Sequence, residues 1–159
     1  MTNETEKSIF EELKAEILRR AREAEACRKQ YGRAYTSESI AELLTVVKDN
    51  FDWAYQHKVI DVQLIEKYRE AFAVHDIRAN VDAHSGYLLA DGSATVRAWG
   101  SATVRAYDSA TVRAWGSAYV ASYDAIECKL SDNAIYRVRS ENKILYASDG
   151  ITFEKIQDA

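Results

Sequence analysis

Hydrophobic and polar residues alternate with a fixed eight-residue period in the second half of the chain. Four consecutive octads show this period: Ser93–Gly100, Ser101–Asp108, Ser109–Gly116 and Ser117–Asp124. In the first three, the second, fourth and sixth positions are Ala, Val and Ala, whereas the third and fifth are Thr and Arg. This two-residue alternation predicts a half-buried strand in each octad. A short fixed repeat also indicates a solenoid, in which each coil buries its apolar row against its neighbours.

The octad register extends from Ile77 to Ile156 and gives ten octads. Their fourth column is expected to point inward: Asn80, Leu88, Val96, Val104, Val112, Val120, Cys128, Tyr136, Ile144 and Thr152. The central octads end alternately in Trp-Gly and Tyr-Asp, so the full repeat is sixteen residues. Two strands and two turns per coil satisfy this repeat, whereas a three-sided coil would need twenty-four residues and would scramble the alternation. Gly and Asp at the corners suit tight turns.

The first half of the chain has helical rather than strand periodicity. Apolar residues at three- and four-residue spacing predict one helix from about residue 5 to Tyr31, with Arg20 interrupting its stripe and a turn at Gly32. A second helix is expected from Ser37 or Ser39, where Ser39 and Glu42 form a capping box. A third is expected after Asp61 as N-cap. The fold class is therefore α+β, with a helical domain over 1–76 and a two-sided parallel β-solenoid over 77–159.

Composition narrows the functions that the chain could have. The 159 residues carry a net charge of −4, with 12 basic and 15 acidic residues before position 77 and 9 basic and 10 acidic residues after it. This balance argues against a general nucleic-acid binder, although local rows of charge can still matter. Cys27 and Cys128 lie in different segments, and we expect buried thiols rather than a disulfide.

Patterns typical of catalysis, metal binding and export are missing from the sequence. The three histidines are scattered, and there is no Cys-x-x-Cys spacing, phosphate-binding glycine loop or nucleophile elbow. Asp108 and Asp124 suit turns better than calcium-binding rolls, because the glycine pattern of such rolls is missing. The start of the chain is polar, and no apolar run could span a bilayer. We therefore expect no enzyme activity, cofactor, metal or membrane, and a cytoplasmic location.

Sorting the octads by parity separates two outer faces. The odd face comprises the outward residues of the octads that start at 77, 93, 109, 125 and 141, and the even face those that start at 85, 101, 117, 133 and 149. The even face is too apolar to remain wet, so we expect it to pack on the N-terminal helices or on a second subunit as a homodimer. Its candidate interface residues are Tyr87, Leu89, Tyr107, Tyr119, Tyr123, Ile135, Ile151 and Phe153.

The odd face carries the candidate partner-binding residues. They are a basic row formed by Arg97, Arg113 and Lys129, together with Trp99 and Trp115. At a strand spacing of about 4.8 Å, adjacent charges repel by only about 0.9 kcal/mol in water. One interpretation is a solvated strand face whose charges protect the sheet. The other is a docking surface for an acidic partner or phosphates, with the indoles as stacking surfaces.

The octads resemble those of a group of short octad-repeat β-solenoid proteins from gut bacteria and their phages and mobile elements. The likeness includes the helical preface through Asn50–Trp53 and Ala79–Asp82 and covers most of residues 37 to 156. A weaker likeness is to the sixteen-residue coils of ice-nucleation proteins, whose paired Thr motif this chain lacks. The resemblance implies a phage or mobile-element accessory role, such as inhibition of a host defence nuclease.

Three hypotheses for the function follow. The first is a non-enzymatic protein that presents a rigid surface to a protein or a protein–nucleic-acid complex. The second is a structural or self-assembling solenoid, and the third is a small-ligand or anion binder that uses Arg97 and Arg113.

Overall fold

The structure, a computed structural model, describes residues 3–148 and 151–158, with side chains from 3 to 147. The chain divides into two compact units, Met1–His75 and Asp76–Ala159. This division lies one residue from the boundary expected from the sequence. In the described residues, the regular elements of the first unit are helices and those of the second are strands, so the α+β class is confirmed.

The helical unit contains six helices in the described residues. They are α1 (Asn3–Glu23), α2 (Arg28–Tyr35), α3 (Ile40–Asp49), α4 (Phe51–Gln56), α5 (Val62–Lys67) and α6 (Arg69–Val74). Two of the expected caps are confirmed, because the backbone N–H of Glu42 donates to Ser39 Oγ at 3.1 Å and that of Leu64 donates to Asp61 Oδ1 at 2.8 Å. Each bond satisfies a backbone N–H that the helix itself leaves unpaired.

Arg20, which interrupts the apolar stripe of α1, links this helix to the start of α5. Its guanidinium lies 2.7 Å from Glu16 Oε1 and 3.1 Å from Asp61 Oδ2. Asp61 therefore caps α5 with one carboxylate oxygen and pairs with Arg20 through the other. Hydrogen bonds from Arg19 and Arg20 lower the pKa of Glu16 to about 2, so this carboxylate keeps its charge in mildly acidic solution.

The expectation of three helices was wrong. The first stripe breaks after Glu23, where Glu25 adopts a positive φ of 58° and reverses the chain before α2. Gly32 lies inside α2 rather than at a turn. Cys27 stands at the N-cap of α2 and is exposed, so the expectation that it is buried was also wrong. A three-four pattern cannot locate such breaks, because its apolar face continues on both sides of them.

The described part of the second unit contains ten strands. They are β1 (Ile77–Ala79), β2 (Tyr87–Ala90), β3 (Thr95–Ala98), β4 (Thr103–Ala106), β5 (Thr111–Ala114), β6 (Tyr119–Ser122), β7 (Glu127–Leu130), β8 (Ile135–Val138), β9 (Lys143–Ser148) and β10 (Ile151–Asp158). One sheet has the order β1-β2-β4-β6-β8-β9-β10, and the other has the order β3-β5-β7. From β2 to β8 the chain therefore alternates between two sheets, as a two-sided solenoid requires.

Parallel pairing between residues sixteen positions apart defines the coils. Val96 pairs with Val112 in the three-stranded sheet, and Val104 pairs with Val120 in the other. All four of these valines have no exposed surface. Alanines occupy the flanking inward columns and let the two sheets approach closely, so the core is a narrow apolar seam. Within this seam, burial raises the pKa of the Cys128 thiol to about 12, which keeps it protonated and unreactive.

Most turns of the solenoid use left-handed backbone at the last octad position. Gly100 has a φ of 59°, and a Cβ there would lie 2.5 Å from the carbonyl oxygen of His84 in the preceding coil. Asp108 and Asp132 adopt similar positive φ angles. Their carboxylates accept hydrogen bonds from the backbone N–H groups of Gly92 and Gly116, at 3.3 and 3.1 Å. The expected turn role of Asp108 is therefore confirmed, and the carboxylates at Asp108 and Asp132 also link successive coils.

Both ends of the octad register depart from the expectation. Ile77 pairs with Tyr87 only ten residues on, so β1 joins the even-numbered strands rather than the odd face. Asn80 is half-buried rather than fully inward, and its carboxamide exchanges two hydrogen bonds with Asp91, at 2.8 and 2.9 Å. These bonds hold a shortened first coil, which pairs with β3 of the other sheet through an isolated bridge between Ala83 and Ala98.

At the other end, β9 runs antiparallel to β8, and β10 runs antiparallel to β9, so the ninth and tenth octads do not form another coil. Ile144, expected inside, is 41% exposed, whereas Leu145 is buried. The reversal of the chain after Val138 changes which residues face inward, because strand side chains alternate between faces. The expected inward position of Thr152 lies outside the described side chains.

Tyr136 stabilises an irregular turn near this end. Its hydroxyl accepts a hydrogen bond from the backbone N–H of Ile126 at 3.0 Å and bonds to Ser122 Oγ, which itself donates to the carbonyl of Asp124 at 2.6 Å. Asp124 lacks the positive φ of the other corners. The buried phenol thus supplies contacts that the regular turn obtains from the backbone, and burial raises its pKa.

We expect Val104→Asp to lower the free energy of unfolding by several kcal/mol, because Val104 has no exposed surface and a carboxylate there would lack a partner. Thr103→Asp is the matched control, since Thr103 is only half-buried and belongs to an outward column. Thermal and urea unfolding of the two variants measures the difference. Equal destabilisation would contradict the assignment of inward and outward columns.

Candidate partner-binding surface

The basic row lies on the three-stranded sheet, as the sequence predicts. Arg97 pairs in register with Arg113, and Arg113 pairs with Lys129. All three side chains are exposed. Thr95, Thr111 and Glu127 form the neighbouring outward column. The register thus places three cations in one line at about the strand spacing of 4.8 Å.

Within the described residues, the side chains of the basic row form no ion pair, hydrogen bond or cation–π contact. Arg105, from the same octad position on the other sheet, differs from them. Its guanidinium lies 5.4 Å from the ring centroid of Tyr119 and donates to the carbonyl of Val104 at 3.3 Å. The cations of the odd face are therefore available to an external group, whereas Arg105 is already engaged.

An aromatic ladder borders the basic row. The rings of Trp99 and Trp115 stack with centroids 5.3 Å apart and planes inclined by 5°. His84 extends the ladder, with its ring centroid 5.7 Å from that of Trp99. Backbone pairing fixes this geometry, because Trp99 N–H donates to Ala83 O and Trp115 N–H donates to Ala98 O. Both indoles are half-buried, so the ladder presents a partly covered flat edge.

His84 was not a candidate at the sequence level. In the shortened first coil, His84 lies fifteen rather than sixteen residues before Trp99. A strict octad count therefore does not place the two rings in one column. Asp82, also in this coil, accepts a hydrogen bond from the backbone N–H of Arg97 at 2.8 Å. An exposed carboxylate therefore stands at the start of the basic row, and Glu127 stands beside its end.

The even-face candidates fall into two groups by position. One outward column consists of residues that pair in succession across the sheet: Tyr87, Thr103, Tyr119 and Ile135. Leu89 lies in the next column and is fully buried.

Tyr107 and Tyr123 follow β4 and β6, at the opposite edge from the indoles, and Tyr123 is 69% exposed. Ile151 and Phe153 lie in β10, an antiparallel strand outside the coil register, and their side chains are outside the described part.

Other site chemistry is limited in the part of the chain that the structure describes. No cluster of three or more His, Cys, Asp or Glu side chains there could hold a metal ion. None of the helices there combines the length and apolarity needed to cross a bilayer. No family model matches the chain, and no curated protein or solved structure matches it either.

We expect Trp99 and Trp115 to stabilise each other. A double-mutant cycle with Trp99→Ala and Trp115→Ala should give a coupling energy of about 0.5–1.5 kcal/mol, the usual range for aromatic pairs. Urea unfolding of the four proteins measures it. Strictly additive losses would mean that the stacked geometry does not persist in solution.

Proposed function

We propose that the protein is a non-enzymatic interaction protein that binds an acidic macromolecular partner through the odd face. The observation that carries the proposal is the basic row, whose three exposed cations have no side-chain partner among the described residues. The adjacent indoles add apolar area of the kind that anchors interfaces. A rigid sheet also reduces the entropy lost on binding, because its side chains are already in line.

The overall charge narrows the class of partner. The chain carries a net charge of −4, so a long polyanion such as duplex nucleic acid would meet repulsion beyond the row. A protein with a local acidic patch would contact the three cations without that penalty. Asp82 and Glu127, at the two ends of the row, further favour a short acidic segment over an extended one. The proposed partner is therefore a protein, alone or within a nucleic-acid complex.

A narrower form of the proposal comes from the resemblance to octad-repeat proteins of phages and mobile elements. In this form the protein is an accessory factor whose partner is a host defence nuclease. It would act in the cytoplasm, where the two free thiols at Cys27 and Cys128 would remain reduced. Blocking a basic nucleic-acid channel is not the expected mode, since the proposed contact surface is itself basic.

The alternative proposal is self-association through the even face. It is favoured by exposed Tyr123 and by Ile135, which is 38% exposed. Molar mass measured by light scattering distinguishes the two proposals, because self-association gives a mass that rises with protein concentration.

The test is charge reversal of the row. We expect Arg97→Glu with Arg113→Glu to change the free energy of unfolding by less than about 1 kcal/mol, as surface substitutions usually do. The double variant should lose binding to a fluorescently labelled Glu-rich peptide, and the difference from wild type should be larger at low salt than at high salt. Fluorescence anisotropy across a salt series measures both effects.

Arg28→Glu with Lys29→Glu is the matched control, because it makes the same charge change at exposed residues of α2. The control variant should bind the peptide like wild type. Equal losses in the two double variants would mean that only net charge matters, and unchanged binding in the row variant would contradict the proposal. A single-stranded oligonucleotide of matched charge, if bound more tightly than the peptide, would contradict the choice of a protein partner.

A further inference from the structure

The helical unit contains an apolar cavity of about 300 Å³. Residues of α1, α2, α3 and α4 line it, together with Ala26, Cys27, Asn50 and Val59 from the segments outside these helices. Ile17, Leu43 and Val47 are buried core residues that form part of its wall. No Asp, Glu, Lys or Arg side chain contributes to the lining. The volume is at the lower end of the range typical of small-molecule sites, which is roughly 300–1,000 Å³.

Small side chains create this space. Ala21, Ala34 and Ala54 face the cavity and are themselves buried, at positions where larger apolar residues would fill it. The chain reversal at Glu25, between α1 and α2, adds Ala26 to the lining. These small side chains therefore leave room for an apolar group between the helices.

Two amide side chains give the cavity a defined polar edge. Gln30 Oε1 accepts hydrogen bonds from Arg33 Nη1 at 2.9 Å and from Asn50 Nδ2 at 3.1 Å. Asn50 Nδ2 also donates to the carbonyl oxygen of Val46 at 2.8 Å. A guanidinium only donates and a carbonyl only accepts, so these bonds fix the orientation of both amides. Gln30 Nε2 and Asn50 Oδ1 are left as a donor and an acceptor without partners among the described residues.

We propose that this cavity binds a small, uncharged, flat molecule that carries an N–H group beside a carbonyl, such as a fused-ring lactam. The lactam N–H would donate to Asn50 Oδ1, and its carbonyl would accept from Gln30 Nε2. The apolar walls, with Trp53 and Tyr31 among them, would cover the rings. A charged ligand is disfavoured, because the lining offers no opposite charge and burial of an unpaired ion is costly.

The proposal is tested with 2-quinolinone, a fused-ring lactam, and with quinoline, which has the same ring system but no N–H beside a carbonyl. Isothermal titration should show one 2-quinolinone bound per chain, about three- to tenfold more tightly than quinoline, as expected for neutral hydrogen bonds. Gln30→Met removes the amide while keeping a similar shape. In this variant Asn50 Oδ1 can still accept the lactam N–H, so the preference for 2-quinolinone over quinoline should fall without vanishing. An unchanged preference would overturn the proposed hydrogen bond from Gln30.

Filling variants test the location of the site. Ala34→Leu should abolish binding of both molecules, whereas Ala41→Leu, on an exposed position of α3, should leave both affinities unchanged. Ala26→Leu, at a half-buried lining position, replaces Ala34→Leu if that variant does not fold as judged by circular dichroism. Binding by a folded filling variant would overturn the proposal. Failure of the wild-type protein to bind either molecule would also overturn the proposal. The cavity would then be a candidate site for a side chain of a partner protein.

Discussion

Parallel pairing of each strand with the strand sixteen residues further along is the constraint on which the solenoid depends. It stacks Val96 on Val112 inside one sheet and Val104 on Val120 inside the other, with alanines that let the sheets meet. The same register determines the arrangement of the outward side chains, because residues sixteen positions apart lie side by side on adjacent strands and form a row. The basic row and the stacked indoles are therefore consequences of the core rather than separate features.

The two ends of the solenoid need capping structures, because the first and last coils each have only one neighbouring coil. At the start, the Asn80–Asp91 hydrogen bonds hold a coil that is too short for the regular register. At the other end, the β9–β10 hairpin continues one sheet and lies close to β7 of the other. Such a hairpin covers backbone groups that a bare last coil would expose to other chains. This arrangement disfavours end-to-end assembly of the solenoid.

The sequence predicted the parts of the fold that depend on local pattern. Strand alternation, the sixteen-residue repeat and the caps at Ser39 and Asp61 each depend on residues within a few positions of one another. The break after Glu23 and the reversal after Val138 were missed, because the apolar pattern continues through both. For the candidate sites, Arg97 and Trp99 followed from the repeat, whereas the Gln30–Asn50 pair required knowledge of how helices α2 and α3 lie together.

In a two-sided coil, residues sixteen apart are neighbours on one face, whereas residues eight apart lie on opposite sheets. Spin labels at positions 95 and 111, in a background with Cys27 and Cys128 replaced, measure this directly by continuous-wave electron paramagnetic resonance in frozen solution. A two-sided coil should give strong dipolar broadening for this pair, since adjacent strands lie about 4.8 Å apart. Labels at 95 and 103 lie on different sheets and should give no such broadening. Broadening in the second pair, or its absence in the first, would contradict the two-sided coil and the basic row with it.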